Sequence, residues 1–125
     1  MKVGIVGASG YTGAELLRLA AQHPDFEVVV ATGDSMAGRR AADLYPSLHV
    51  AYPDLVFSEF DPADVHDLDL VFLGLPHGAS MELAPSLVGT VGCVVDLSAA
   101  FRLRDPAAYP IFYGFEHTQL ELLDE

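Results

Sequence analysis

The chain has 125 residues, with six Lys+Arg against 18 Asp+Glu and a formal net charge of −12, and a length of this order suits one domain able to enclose a core. Half of the residues are hydrophobic and only 19% are charged, which excludes wholesale disorder. Between Ala41 and Phe101 there is no Lys or Arg, so the basic stripes that attract nucleic-acid phosphates or anionic lipid are missing, and neither partner is expected.

Lys2–Val6 is a short apolar run closed by Gly7-Ala8-Ser9-Gly10, the pattern of a strand buried on both faces. From Tyr11 to Gln22 the small or apolar positions Gly13, Leu16, Leu17, Ala20 and Ala21 recur at three- and four-residue spacing, predicting a helix that His23-Pro24 stops. Glu27–Thr32 is the next buried strand, so the first third of the chain is a βαβ unit. Gly33–Pro53 is irregular, with a short helix near Arg40–Leu44, and a modest strand is expected at Leu55–Phe57. Asp61–Asp64 reads as a turn or short helix, Leu70–Leu73 as a core strand, Ala79–Leu87 as a helix and Gly92–Leu97 as a further buried strand. Beyond Phe101 the pattern dissolves at Asp-Pro, Tyr-Pro and Tyr-Gly breaks, and the final residues from Gln119 read as the start of a helix. The expected fold class is α/β: a Rossmann-like, doubly wound, mostly parallel sheet with helices on both faces.

No apolar run approaches the roughly 20 residues of a membrane-spanning helix, and glycine comes too early for a secretory signal. The single cysteine, Cys93, cannot form an internal disulfide, which suits a reducing compartment, and a cytoplasmic location is expected. The five histidines are scattered without metal-ligand spacing, and the acids Asp61, Asp64, Asp67 and Asp69 match no cation-binding loop, so no metal site is expected.

Gly7, Gly10 and Gly13 form a Gly-x-x-Gly-x-x-Gly pattern that begins where the first strand ends and runs into the first helical turn. A pyrophosphate at a helix N-terminus is held by unpaired backbone N–H groups and the positive end of the dipole, so the approaching backbone must lack side chains. Gly13 also lets the helix lie close against the sheet, and Ser9 and Thr12 offer hydroxyl donors. The second glycine is displaced by one residue from the commonest dinucleotide fingerprint, and a turn that merely needs positive φ is the competing reading.

Gly7-Ala8-Ser9-Gly10-Tyr11-Thr12-Gly13-Ala14-Glu15-Leu16-Leu17-Arg18 with His23-Pro24, then Leu73-Gly74-Leu75-Pro76-His77-Gly78, then Val95-Asp96-Leu97-Ser98-Ala99-Ala100-Phe101-Arg102-Leu103 and Tyr113-Gly114, resemble the N-acetyl-gamma-glutamyl-phosphate reductases. Aspartate-semialdehyde dehydrogenase and aminoadipyl-phosphate reductase are the near relatives, and Leu-Pro-His-Gly favours the glutamyl-phosphate group. The resemblance implies NADPH-dependent reduction of an acyl phosphate to an aldehyde in arginine biosynthesis, through a cysteine thioester, by a cytoplasmic homo-oligomer. In that family the cysteine lies in a Gly-Cys motif downstream of these residues. On that pattern residues 1–125 are the dinucleotide-binding domain of a longer enzyme, with no catalytic residue of their own, and Cys93 is a packed structural thiol.

The resemblance also implies site residues. Gly7, Ser9, Gly10, Tyr11, Thr12 and Gly13 would contact the cofactor, as would Pro76, His77 and Gly78 after the third strand. For His77, contact with cofactor or substrate and capping of the following helix are both open. An acid such as Asp34, just past the second strand, by itself suits NAD. Ser35, Arg39 and Arg40 follow it, however, and the family often carries serine or a base in this loop. NADP(H) is therefore the expected cofactor, with Ser35 and Arg39 on its 2′-phosphate, against the plainer reading of a solvated loop with surface arginines. Ser98 and Arg102 would bind the acyl phosphate, Arg102 through its planar donor fork; an ion pair with Asp96 or Asp105 is the alternative. Ala100 stands where the family commonly has an acid. Two further classes remain from the glycine loop alone. A short-chain reductase needs Tyr-x-x-x-Lys, which the sole lysine, Lys2, does not allow, and a non-enzymatic nucleotide-binding module needs none of the later motifs.

Overall fold

In a computed structural model, residues 1–124 are described. Four strands, β1 (Lys2–Val6), β2 (Glu27–Ala31), β3 (Leu70–Leu73) and β4 (Val94–Asp96), form one parallel sheet in the order β2-β1-β3-β4. Helix α1 (Tyr11–Ala20) connects β1 to β2. Three short helical pieces follow, including α2 (Ala41–Leu44), and α3 (Pro62–Val65) precedes β3; α4 (His77–Leu87) connects β3 to β4, and α5 (Ala108–Phe112) is followed by a 3-10 helix at Leu120–Asp124, where the sequence predicts a helix to start.

The strands alternate between two cores, as a period of two requires. Val3, Ile5 and Leu70 pack with Leu17 of α1, Ala41 and Phe57 on one face. Val6, Val71 and Leu73 pack with Val65 of α3, Leu68 and Leu87 of α4 on the other. Both faces are therefore covered, which explains the continuous apolar runs of β1 and β3. This is the doubly wound, Rossmann-like arrangement the sequence predicts. The chain moves outward from β1 through α1 to β2, then returns across β1 to β3 and winds the opposite way. The change of direction falls between β1 and β3, where doubly wound sheets open a crevice at their carboxyl ends.

Several elements differ in extent or burial from the sequence reading. The modest strand expected at Leu55–Phe57 is reduced to isolated bridges, parallel between Thr32 and Ser58 and antiparallel between Arg40 and Val56. The parallel bridge lays this segment along the outer side of β2. Neither β2 nor β4 is buried on both faces: β2 alternates exposed and half-buried residues before the buried Ala31, and β4 is half-buried throughout and covers only Val94–Asp96. Cys93 is correspondingly exposed rather than packed, because it precedes an edge strand whose second side carries no neighbour among the described residues. Helix α4 begins two residues earlier than the spacing indicates, at His77, because Pro76 occupies its N-cap. The fifth helix lies where Tyr109-Pro110 suggests a break; Pro110 falls in its first turn, where a missing N–H costs no helical bond.

Candidate functional site: a glycine loop at the sheet crossover

Gly7 follows β1 at φ +81°, and a Cβ there would lie 2.4 Å from the carbonyl oxygen of Gly74, so the loops after β1 and β3 touch backbone to backbone. Thr32, at the end of β2, pins this loop from the other side. Its Oγ1 accepts the Gly7 N–H at 3.1 Å and its carbonyl accepts the Ala8 N–H at 2.7 Å. Ser9 Oγ donates to Gly33 O (3.1 Å), and Tyr45 OH donates to Ser9 O (2.6 Å). At Gly13 a Cβ would meet Ala8 Cα at 2.4 Å and Gly7 O at 2.5 Å, so only glycine lets α1 lie this close to the loop. A Cβ on Gly10, in contrast, would find only Gly7 O, at 3.9 Å.

The N-terminus of α1 is therefore rigidly placed and open. Gly10 is its N-cap, no side chain caps it and no acid stands in its first turn. The first-turn N–H groups of a helix have no partner within it, and those of Tyr11, Thr12 and Gly13 find no backbone partner elsewhere among the described residues, at the positive end of the dipole. Tyr11 and Thr12 flank them, both exposed.

Beside the loop, a cleft of about 600 Å³ opens at the carboxyl ends of the strands. Val6, Gly7, Leu75, Pro76 and Leu83 give it apolar walls; Thr32, Asp34, Glu59 and Glu82 give it polar ones. No lysine or arginine lines it. Asp34 adopts φ +45°, a left-handed conformation in which Asp is tolerated better than most residues. Ser35 and Arg39 lie outside the lining; Arg39 is exposed, with Nη1 3.8 Å from Met36 Sδ and no ion pair among the described residues. Arg40 pairs with Asp43 at 3.5 Å.

Across the crossover, the segments after β3 and β4 are joined. His77 does not cap α4; its Nδ1 accepts the Ala99 N–H at 2.9 Å, and its ring stacks on Phe115 and tilts against Tyr113. Since Nδ1 accepts, the neutral ring carries its proton on Nε2. Gly78, next along α4, is exposed. Asp96, at the end of β4, organises the loop beyond that strand. Its Oδ1 accepts from Ser98 N (2.9 Å) and from the fully buried Ser80 Oγ (3.1 Å), and its Oδ2 accepts from Ser98 Oγ (2.8 Å). Ser98 Oγ also accepts the Ala100 N–H, so this hydroxyl is occupied within the loop. Arg102 donates from Nη2 to Ser98 O at 3.2 Å and forms no ion pair with Asp96 or Asp105, leaving most of its donor fork exposed.

Between Tyr109 and His117 the ring-bearing and apolar residues divide into a buried set and an exposed one. Tyr109 is fully buried and clamps Leu103, donating to its carbonyl (2.8 Å) and accepting its N–H (2.9 Å). His117, also buried, bonds Ala100 O through Nε2 at 2.7 Å. Ile111 and Phe112 face outward. Thr32, Tyr45, Ser80 and Asp96, which hold the site's loops in place, are not evident from the motifs. Of these only Asp96 leaves a legible trace, the Asp-x-Ser spacing of a side chain bonding the backbone two residues on. No group of three or more His, Cys, Asp or Glu that could hold a metal ion occurs among the described residues, and no helix is long and apolar enough to cross a membrane.

A dinucleotide fits this arrangement by its chemistry. The open, uncapped helix N-terminus supplies donors and positive potential for a pyrophosphate, the side-chain-free approach at Gly10 supplies room, and the cleft walls supply apolar surface for rings.

Residues 2–119 match the model of the family described as semialdehyde dehydrogenase, NAD binding domain, and the chain belongs to this family. It is 50% identical over 125 residues to the N-acetyl-gamma-glutamyl-phosphate reductases of Methanopyrus kandleri and Ectopseudomonas mendocina, covering 98% and 100% of this chain. It spans 36% of the length of those relatives. Among solved structures, aspartate semialdehyde dehydrogenase with NADP from Candida albicans superposes with a TM-score of 0.71 at 26% identity, over 84% of this chain and 31% of that one.

Proposed function

We propose, from membership of the semialdehyde dehydrogenase NAD-binding family, that this chain is the cofactor-binding part of an N-acetyl-gamma-glutamyl-phosphate reductase. The enzyme would use NADPH to reduce N-acetyl-glutamyl 5-phosphate to its semialdehyde in arginine biosynthesis. The observation that carries the reading is half-identity to reductases of that name along essentially the whole chain, including the segments that build the glycine loop and the cleft. The reading also places the enzyme in the cytoplasm as a homo-oligomer.

When bound, the dinucleotide supplies the hydride. The remaining work falls to the protein. First-turn N–H groups of α1, with Gly7, Ser9, Gly10, Tyr11, Thr12 and Gly13 shaping the approach, hold the pyrophosphate. Ser9 acts by bracing the loop through Gly33, since its proton is directed there. Ser35 and Arg39 stand beyond the cleft lining, where an exposed guanidinium can reach a 2′-phosphate. Pro76 lines the cleft opposite, with His77 and Gly78 next to it at the start of α4 to meet the cofactor, and the Ala99 bond keeps His77 presenting Nε2–H as a donor. Arg102, with no acid paired to it among the described residues, offers paired N–H donors to the acyl phosphate. Ser98 shapes the loop that carries it. No residue of this chain is assigned the covalent step.

The test is a coupled assay of the full-length enzyme with N-acetyl-glutamyl, aspartyl and aminoadipyl phosphates as alternative substrates. A kcat/KM at least about a hundredfold higher for the first, about 2.7 kcal/mol of discrimination, supports the reading. A preference for either of the others overturns the substrate assignment while leaving cofactor binding standing. Residues 1–125 alone are expected to bind dinucleotide without turnover; phosphate-dependent reduction of NADP by them would overturn that division of labour.

A further inference from the structure

Three carboxylates, Asp34, Glu59 and Glu82, line the cleft beside the glycine loop, and no arginine or lysine does. Asp34 is the one that follows β2, past the Thr32–Ser58 bridge, the place from which a side chain reaches the adenosine ribose in sheets wound this way. A carboxylate there accepts hydrogen bonds from a ribose diol and repels a 2′-phosphate, which carries close to two negative charges. Among the described residues, the one neighbouring base without an acidic partner is Arg39, held outside the lining beside Met36; Arg40 is already engaged by Asp43. The two signals oppose each other. An exposed arginine on a mobile stem offers a screened attraction to the phosphate, while an acid in the lining offers bonds to the free hydroxyl.

We infer that Asp34 is a specificity-determining residue that admits NAD(H) alongside NADP(H) in this cleft, an inference resting on the proposed dinucleotide site. Asp34 forms no ion pair among the described residues, so its charge is not cancelled before a ligand arrives.

The experiment is a fluorescence titration of the protein with NADH and with NADPH, at one fixed ionic strength, for the wild type and for Asp34→Asn. Asparagine keeps the size of the side chain and tolerates the left-handed backbone at this position, so the variant removes the charge with little strain. In the wild type NADH should bind no more than about tenfold more weakly than NADPH, a gap of at most about 1.4 kcal/mol. In Asp34→Asn the affinity ratio should move toward NADPH by about fivefold or more. Asp54→Asn, an equal charge loss at an exposed residue outside the cleft lining, should leave the ratio in place. A larger wild-type gap in favour of NADPH overturns the inference, as does a ratio that Asp34→Asn leaves unmoved or that Asp54→Asn moves equally. Binding of neither dinucleotide would instead overturn the proposed site itself, a different result from NADPH binding alone.

Discussion

Gly13→Ala sets two physical effects against each other. Alanine in a helix interior is favoured over glycine by about 1 kcal/mol, so helix preference alone predicts a more stable protein. The packing predicts the opposite. The added methyl would lie 2.4 to 2.6 Å from three backbone atoms of Gly7 and Ala8, none of which can rotate aside. Ordinary contact begins near 3.4 Å, so α1 must retreat by about 1 Å, loosening Leu17 and Ala20 from their buried seats. Overpacking of this kind costs about 1 to 3 kcal/mol. With the contact at the severe end and the helix preference subtracted, the net loss is about 2 kcal/mol, or about 8 °C in Tm for a chain of this size. The same retreat lengthens any bond from the first-turn N–H groups beyond hydrogen-bonding range, so dinucleotide affinity should fall by tenfold or more. Thermal unfolding followed by circular dichroism, paired with NADPH titration, measures both. Gly10→Ala is the contrast: its methyl meets nothing closer than 3.9 Å, so stability falls by less than about 1 kcal/mol, the N-cap preference of glycine over alanine, while affinity still drops. A Tm for Gly13→Ala equal to or above the wild type would refute the close approach of α1 to the loop.

Three further outcomes are expected from the packing and the loops. Tyr109→Phe leaves both the N–H and the carbonyl of Leu103 without their partner, which should cost about 1 to 3 kcal/mol, read as a lowered urea midpoint; an unchanged midpoint would remove the clamp. Burial pushes the Tyr52 hydroxyl, which donates to Leu17 O, above its ordinary 10.0. The unfolded chain therefore loses that proton first, and the stability it contributes is complete below pH 10 and is lost as pH rises through the folded value. Tyr52→Phe should make the fall of Tm above pH 10 shallower, and parallel curves would contradict the assignment. In the full-length enzyme Arg102→Leu should raise the apparent KM for the acyl phosphate by about tenfold or more, the loss of a charge-assisted pair of bonds, and an unchanged KM would take Arg102 out of the site.

The parts of the fold that local chemistry dictates were legible in the sequence. β1 and β3 are apolar without interruption because both faces are covered, and Leu70–Leu73 is found where the pattern puts it. The glycine spacing at Gly7, Gly10 and Gly13 marks a turn whose backbone contacts leave no space for side chains at two of the three. The features that escaped depend on residues distant in sequence. Cys93 looks buried beside Val94 and Val95, but whether a strand is central or at an edge is settled by its neighbours, not by its own residues. Thr32 and Tyr45 hold the glycine loop from 25 and 36 residues away, and Ser80 reaches Asp96 across the α4–β4 connection. The link between His77 and Ala99 spans 22 residues and has no periodic signature. Helix α5 is hidden by Pro110, whose effect depends on its position within the helix rather than on its presence.

The central claim is that the open N-terminus of α1 and the adjoining crossover cleft hold a nicotinamide dinucleotide. Amide chemical-shift mapping of the isotopically labelled protein on titration with NADPH tests it most directly. Saturable shifts concentrated on the amides of Ser9–Ala14 and of Gly74, Leu75 and His77–Ala79 are the result expected. Shifts spread elsewhere, or no shifts at a dinucleotide concentration of about 1 mM, a Kd threshold of roughly −4 kcal/mol, would contradict it.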